Sequence, residues 1–354
     1  MYNFEQYKDE VIQLRRHFHK HPEIGFQEYE TSKFIQEYLK NLGLEPKVIA
    51  KTGVVALIEG KYPGKTILLR SDMDALAVLE ENDVAYVSEN KGVMHACGHD
   101  GHMAMLLVAA KILTEQRDAM HGTVKLVFQP NEEEDGASFL IKEGVLKNPD
   151  VDTSFAVHLW TPIPSGYIGL KSGPVMAEMY NFKITLVGKG GHTSAPQSSI
   201  DPIICAANII QSVQSIQTRE IDPMDATVIM FGKISGGTSS NIIAETVEME
   251  GTLRYLYDGD DDGEQQPRKR FERIVKSICE AYRINGTVEF MPSSYTVMND
   301  ESSVQFLKTH VMNQIVPEHN IIPYCCMGGE DFSEFINHNN IPGALIFIGT
   351  GNPE

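Results

Sequence analysis

The chain has 354 residues, 42% of them hydrophobic and 22% charged, which is enough for two domains and a sizeable core and excludes a disordered protein. With 30 basic and 48 acidic residues the formal net charge is −18, which argues against nucleic acid as a partner, since phosphate binding needs clustered Lys and Arg. The five scattered cysteines, Cys97, Cys205, Cys279, Cys325 and Cys326, form no disulfide framework. The charged start MYNFEQYKDEVIQLRRHFHK lacks the apolar core of a signal peptide, and no apolar run approaches the ~20 residues of a membrane span. A soluble, cytoplasmic protein is expected.

In chain order, residues 4–18 have helical spacing, HPEIGFQE turns, and 31–42 form a second helix stopped by Gly43. A short apolar run at 65–70 (KTILLR) is a buried strand. Asp100 is the N-cap of a helix over 101–116, and 123–129 (TVKLVFQ) is a strand ended by Pro130. A helix at 138–143 and a strand at 153–159 (TSFAVHL) follow. Alternation of this kind predicts an α/β domain with a largely parallel sheet flanked by helices. From 177 to 291 the pattern changes to strand 181–187, helix 200–218, strands 226–234 and 246–255, helix 264–284 and strand 287–291. That β-α-β-β-α-β order predicts a ferredoxin-like domain inserted into the first, which would comprise 1–176 and 292–354. The acidic run at 258–264 (DGDDDGE) reads as a solvated turn. The α/β pattern resumes with a helix over 302–314 and a strand at 344–348.

Ligands of open parallel sheets bind outside the carboxyl ends of the strands. Asp72 and Asp74 follow strand 65–70, Glu132, Glu133 and Glu134 follow 123–129, and His158 ends TSFAV. The loop HACGHDGH (95–102), just before a helix, falls on the same rim. Sulfur, nitrogen and oxygen donors together suit zinc or, with more oxygen, manganese, cobalt or nickel. Adjacent glutamates allow one to bind metal while its neighbour acts as a base toward water. Singly, each feature has an ordinary reading: an incidental Cys-x-His pair, a solvated acidic run, a satisfied histidine. Their arrival at one rim favours the metal. A nucleophilic Cys97 is the competing chemistry, but the nearby carboxylates would raise its pKa unless a metal offsets them. The other histidine-rich stretch, HFHKHPE (17–23), bridges a helix end and a turn and is read as non-ligating.

RRHFHKHPEIGFQE, RSDMDAL, GVMHACGHDGHMAMLL, FQPNEEE, AVHLW, GKGGHTSAPQSSIDPI, SSNIIAETVEMEGTLR and MGGEDF together resemble the M20 family of metallopeptidases. Within that family the chain looks like the amidohydrolases: aminoacylases, hippurate hydrolases, N-acetyl-diaminopimelate deacetylases and auxin-conjugate hydrolases. The resemblance runs from Arg15 to the last residue. It implies two divalent metal ions, zinc or manganese before cobalt or nickel, with Cys97, His99, Glu133 and His158 as ligands. It also implies that Glu132 is the general base toward a water bridging the metals. His192 resembles a histidine that reaches across a homodimer, formed through the inserted lid domain, to stabilise the tetrahedral intermediate. Asn241 and Arg254 match positions that hold a substrate carboxylate. The implied reaction is hydrolysis of N-acyl-L-amino acids, with a metallo-dipeptidase and an inactive metal-binding interaction protein as alternatives. Ala77 and Ala244 stand where the family usually has proline, which bears on loop rigidity. The family's remaining ligand, a histidine, follows the strand at 344–348. The chain stops at IFIGTGNPE without one, so the expectation is of a longer protein that continues past Glu354.

Overall fold

The computed structural model describes residues 4–257 and 266–352, so the acidic run at 258–264 lies outside the described residues. After a 3₁₀ turn at Phe4–Tyr7 come α1 (Lys8–Lys20), α2 (Tyr29–Asn41), β1 (Lys47–Ile49), β2 (Gly53–Glu59) and β3 (Tyr62–Asp72). Next are α3 (His99–Gln116), β4 (His121–Gln129), α4 (Ala137–Lys142), β5 (Thr153–Pro164), β6 (Ile168–Gly169) and β7 (Gly173–Met176). The middle of the chain forms β8 (Glu178–Val187), β9 (Gly191–His192), α5 (Pro202–Ser212), β10 (Thr227–Gly236), β11 (Ile242–Ile243), β12 (Thr246–Tyr255), α6 (Pro267–Tyr282) and β13 (Asn285–Ser294). The last part adds β14 (Val297–Asn299), α7 (Glu301–His310), β15 (Ile321–Ile322) and β16 (Gly343–Gly351). Two compact units result: Met1–Val175 with Val297–Cys325 and Glu330–Glu354, and Met176–Thr296 with residues 326–329.

The first unit holds an eight-stranded sheet in the order β1-β2-β4-β3-β5-β16-β6-β15. The expected parallel pairing forms the middle of the sheet, and the sheet as a whole is mixed. Neighbours β4, β3, β5 and β16 run parallel, as do β6 and β15, but β1–β2, β2–β4 and β16–β6 are antiparallel. Only residues 50–52 separate β1 from β2, with Ala50 and Lys51 at positive φ. A parallel pairing needs a crossover of about a dozen residues or more, so that turn dictates a hairpin. β4 is buried along nearly its whole length, and Leu126 and Phe128 pack with Leu14, Phe18, Ile35, Leu39, Met103 and Leu107 from α1, α2 and α3. Within β4, Lys125 is only 2% exposed. Its Nζ donates to the carbonyls of Val145, Lys147 and Pro149 at 2.8, 2.8 and 2.9 Å, tying the sheet to the turn after α4.

In the second unit the strands β10-β12-β8-β13 form an antiparallel sheet. Phe182, Ile184, Met249 and Leu253 of the sheet pack with Cys205 and Ile209 of α5 and Phe271, Val275 and Cys279 of α6. Asp201 caps α5 by accepting the Ile203 N–H, with Pro202 in the first turn. Among the described residues no helix is long and apolar enough to cross a membrane.

Candidate metal centre

The rim is built on β3. Arg70 and Asp72 share one face of that strand, and both are buried. A buried guanidinium needs every donor satisfied and its charge paired. Arg70 Nη1 donates to Asp72 Oδ2 at 2.8 Å, and Nη2 donates to Glu330 Oε1 at 2.9 Å and Asp331 Oδ1 at 3.0 Å. Its Nε donates to Gln129 Oε1 at 2.7 Å. Asp331 also accepts from Gln129 Nε2 and from the Ala137 N–H. Burial works against an ionised Asp72, but His99, Arg70 and the hydrogen bond from His102 outweigh it and hold its pKa well below the usual carboxylate range.

On this base the predicted donors converge. The S, N and O atoms of Cys97, His99 and His158 lie within 4.8 Å of one another, and so do those of His99, Glu132 and Glu133. His99 is fully buried, its Nδ1 2.9 Å from the Asp74 carbonyl and 3.3 Å from Asp74 Oδ1. Among the described residues its Nε2 has no hydrogen-bond partner, and it faces Asp72 and Glu132 oxygens at 3.6 and 3.8 Å. A buried imidazole nitrogen rarely goes without a partner in a native fold. A divalent ion fits here, because soft and hard donors surround that orphaned nitrogen and Asp74 orients the ring from behind, as ligating histidines require. His158 Nδ1 meets the Leu159 carbonyl at 2.8 Å, which leaves Nε2 facing Cys97 Sγ at 3.8 Å.

The electrostatics separate the roles. Burial pushes the pKa of His158 down to about 3, which keeps the ring a neutral donor. Burial pushes the Cys97 thiol up, the opposite of an activated nucleophile. Burial also raises Glu133. Glu132 is raised well above the usual carboxyl range by burial, then by Glu330 and Asp331, which makes it a group able to take up and return a proton.

Two local predictions need correction. Asp100 is not the N-cap of α3: that position is Gly98, at φ +97°, and the helix begins at His99. Only glycine takes that backbone without strain, and it lets the loop swing His99 inward. Asp100 sits in the first turn, where its Oδ2 meets His19 Nδ1 at 2.7 Å and Arg15 Nε at 2.8 Å. Likewise, His158 does not end its strand, since β5 runs to Pro164. Its pairing with β3, however, stops at Ala156, so His158 still lies beyond the carboxyl end of the shared ladder.

In the second unit, His192 on β9 pairs in register with Ile242 on β11, which brings it beside Asn241. His192 is exposed, and its Nδ1 accepts from the Ser194 N–H at 3.1 Å. Arg254, on β12, donates to the Met327 carbonyl at 2.8 Å and has no carboxylate in ion-pair range among the described residues. Sequence reasoning assigned no role to Arg70, Gln129, Glu330, Asp331 or His102. An arginine closing an apolar strand was the one available signal, since such a group must find distant carboxylates once buried.

The family model of peptidase family M20/M25/M40 matches residues 68–354. The chain belongs to this family. It is a metal-dependent amidohydrolase by type, similar to thermostable carboxypeptidase 2 of Saccharolobus solfataricus at 42% identity over 98% of this chain and 87% of that one. It is also 37% identical to an N-acetyl-L-cysteine deacetylase of Bacillus subtilis, over 98% of this chain and 82% of the relative. Among solved structures, a dinuclear metal-binding M20 peptidase of Bacillus subtilis superposes with a TM-score of 0.84 at 32% identity, over 99% of this chain and 91% of the other.

Proposed function

We propose that this M20 chain hydrolyses the amide bond of N-acyl-L-amino acids, with Cys97, His99, Glu133 and His158 holding two divalent ions, zinc or manganese first. The observation that carries this is the convergence of sulfur, nitrogen and oxygen donors on the orphaned His99 Nε2, beside a Glu132 whose carboxyl is pushed up. Bound metal would supply the Lewis acid that polarises the amide carbonyl and acidifies water. Glu132 takes the proton of the attacking water and returns one to the leaving amine. Arg254, with Asn241, binds the free carboxylate on the amine side of the scissile bond, since a guanidinium grips a carboxylate bidentately. A carboxypeptidase and an N-acetyl-amino-acid deacetylase share that requirement: each cuts an amide whose amine carries a free α-carboxylate.

The β-α-β-β-α-β order of the second unit supports a ferredoxin-like lid that also dimerises, with His192 serving the oxyanion of a second copy's site. One donor of that kind is worth about 3 kcal/mol. The test is amine release from N-acyl amino acids, dipeptides and carboxyl-blocked analogues, with added metals and with chelator. Chelator-sensitive release that disappears when the carboxylate is amidated is the expected result. Equal rates on blocked and free substrates refute the carboxylate role, and hydrolysis of free-amino dipeptides alone refutes the acyl preference. Mixing Glu132→Gln with His192→Ala subunits should restore part of the activity. No restoration in proven mixed dimers counts against a shared site.

A further inference from the structure

We propose that His102 is a positioning residue for His158, acting through the Leu159 peptide, and that it is not itself a ligand. The inference rests on the metal-site reading of His158. His102 belongs to a buried group with Asp72 and His99 whose donor atoms lie within 4.8 Å of one another, so by proximity alone it could be taken for a third ligating histidine. Its hydrogen bonds exclude that. His102 Nε2 accepts the Leu159 N–H at 2.8 Å, and a backbone N–H can only donate. The ring proton therefore sits on Nδ1, which donates to Asp72 Oδ1 at 2.7 Å. Both nitrogens are occupied.

The other end of Leu159 completes the link. Its carbonyl accepts from His158 Nδ1 at 2.8 Å, which fixes that ring with Nε2 toward Cys97. One residue is thus gripped at its N–H by His102 and at its C=O by His158. The need for this grip follows from the sheet. β3 pairs with β5 only as far as Arg70↔Ala156, while β16 continues to pair along the other edge of β5. Past Ala156 the flank that β3 leaves has no strand, and His102 supplies the acceptor a strand would have provided. The anchor behind it is stiff, since Asp72 is held by Arg70, whose other donors go to Gln129, Glu330 and Asp331. The first turn of α3 also lies close against Leu159: a Cβ at Gly101 would come within 2.4 Å of Leu159 Cδ1. Asp72, His102 and Leu159 therefore set the aim of His158 from outside the ligand set. Groups in such outer positions typically change metal affinity about 10–100-fold.

The chain's one tryptophan gives the readout. Trp160 lies with its ring centroid 5.1 Å from that of His158, so cobalt bound at His158 quenches its fluorescence. The full chain, stripped with chelator and titrated with cobalt, is compared with His158→Ala, His102→Phe, His102→Asn and His102→Gln. A glutamine oxygen reaches the Nε2 position and can still accept the Leu159 N–H, whereas asparagine reaches only the Nδ1 position. The Phe and Asn variants should bind cobalt at least tenfold more weakly, and Gln within about threefold of wild type. Wild-type affinity in Phe and Asn overturns the proposal, as does a loss in Gln equal to that in Asn, which would indicate packing alone. If wild type shows no quenching, or His158→Ala quenches normally, the metal reading itself fails and this inference with it. A measurement free of substitutions guards against misfolded variants: histidine-selective ¹⁵N spectra of the zinc-loaded chain should place the His102 proton on Nδ1. A proton on Nε2 overturns the link.

Discussion

The two histidine-rich stretches, HFHKHPE and HACGHDGH, have similar composition and opposite hydrogen bonding. In the first, His17 stacks on Phe34 with ring centroids 4.2 Å apart, and His21 Nδ1 meets the His17 carbonyl at 2.8 Å while its Nε2 faces Glu89 at 3.5 Å. Buried His19 has Asp100 on one nitrogen and Glu80, at 3.0 Å, on the other. In the second stretch, His99 keeps Nε2 uncapped and Cys97 stands beside His158. A free nitrogen is still not sufficient. Among the described residues, buried His95 has neither nitrogen bonded and yet belongs to none of the donor groups. What marks a candidate ligand is an uncapped donor atom with other donors in reach. The stretches are also joined, because Asp100 of the second is the carboxylate that His19 and Arg15 hold.

The contrast can be broken most severely at His99. His99→Asn should abolish metal binding and with it hydrolysis, read as metal content by mass spectrometry and as amine release. Retention of both would move the centre elsewhere. Next, Glu132→Gln should lower kcat by about 10²–10⁴-fold while metal content stays at the wild-type level. Normal turnover would remove it as the base.

His19→Gln is a smaller change, and one of stability. Losing hydrogen bonds between charged groups should cost about 2 kcal/mol in denaturant unfolding. The pKa of His19 is raised, chiefly by its bond to Asp100, with Glu80 adding and burial opposing. Its contribution is therefore fully present below its unfolded value, about 6.5, and is lost as pH rises through the folded value. The gap between wild type and variant should shrink from pH 6 to pH 9, and a gap that widens would mean the sign is wrong. Smallest of all, His17→Ala and His21→Ala should shift stability by no more than about 0.5 kcal/mol and leave cobalt affinity unchanged.

Much of this was legible in the sequence wherever the signal was local. KTILLR, TVKLVFQ and TSFAVHL lie within β3, β4 and β5, and the alternation of NFKITLV and the Asp201-Pro202 start mark β8 and α5. Pairing direction was not legible, because it depends on which strands meet. GVVALIE became β2 through its hairpin with β1, and two-residue strands such as β6 and β15 carry no period at all. At the site, the donors in HACGHDGH and NEEE could be read because chemistry concentrates them. The cluster that holds them could not: Arg70 meets Glu330 and Asp331 across about 260 residues, and only folding puts them together. The interrupted end of the long helix expected over 200–218 is of the same kind, with α5 stopping at Ser212 and a π-helical turn at Ile216–Glu220.

The lysine buried in β4 has a practical consequence for chemistry done on the protein. Lys125 spends its three donors on three carbonyls, and burial pushes its pKa down to about 8. Near neutral pH a larger share of this amine than of an ordinary lysine's would be in the nucleophilic form, yet an acylating reagent cannot reach it while the turn at 145–149 stays seated. In a time course of lysine labelling read by peptide mass, Lys125 should lag behind surface lysines such as Lys147 and react only as that turn lifts, so its labelling rate clocks the lifting of the turn that covers this strand.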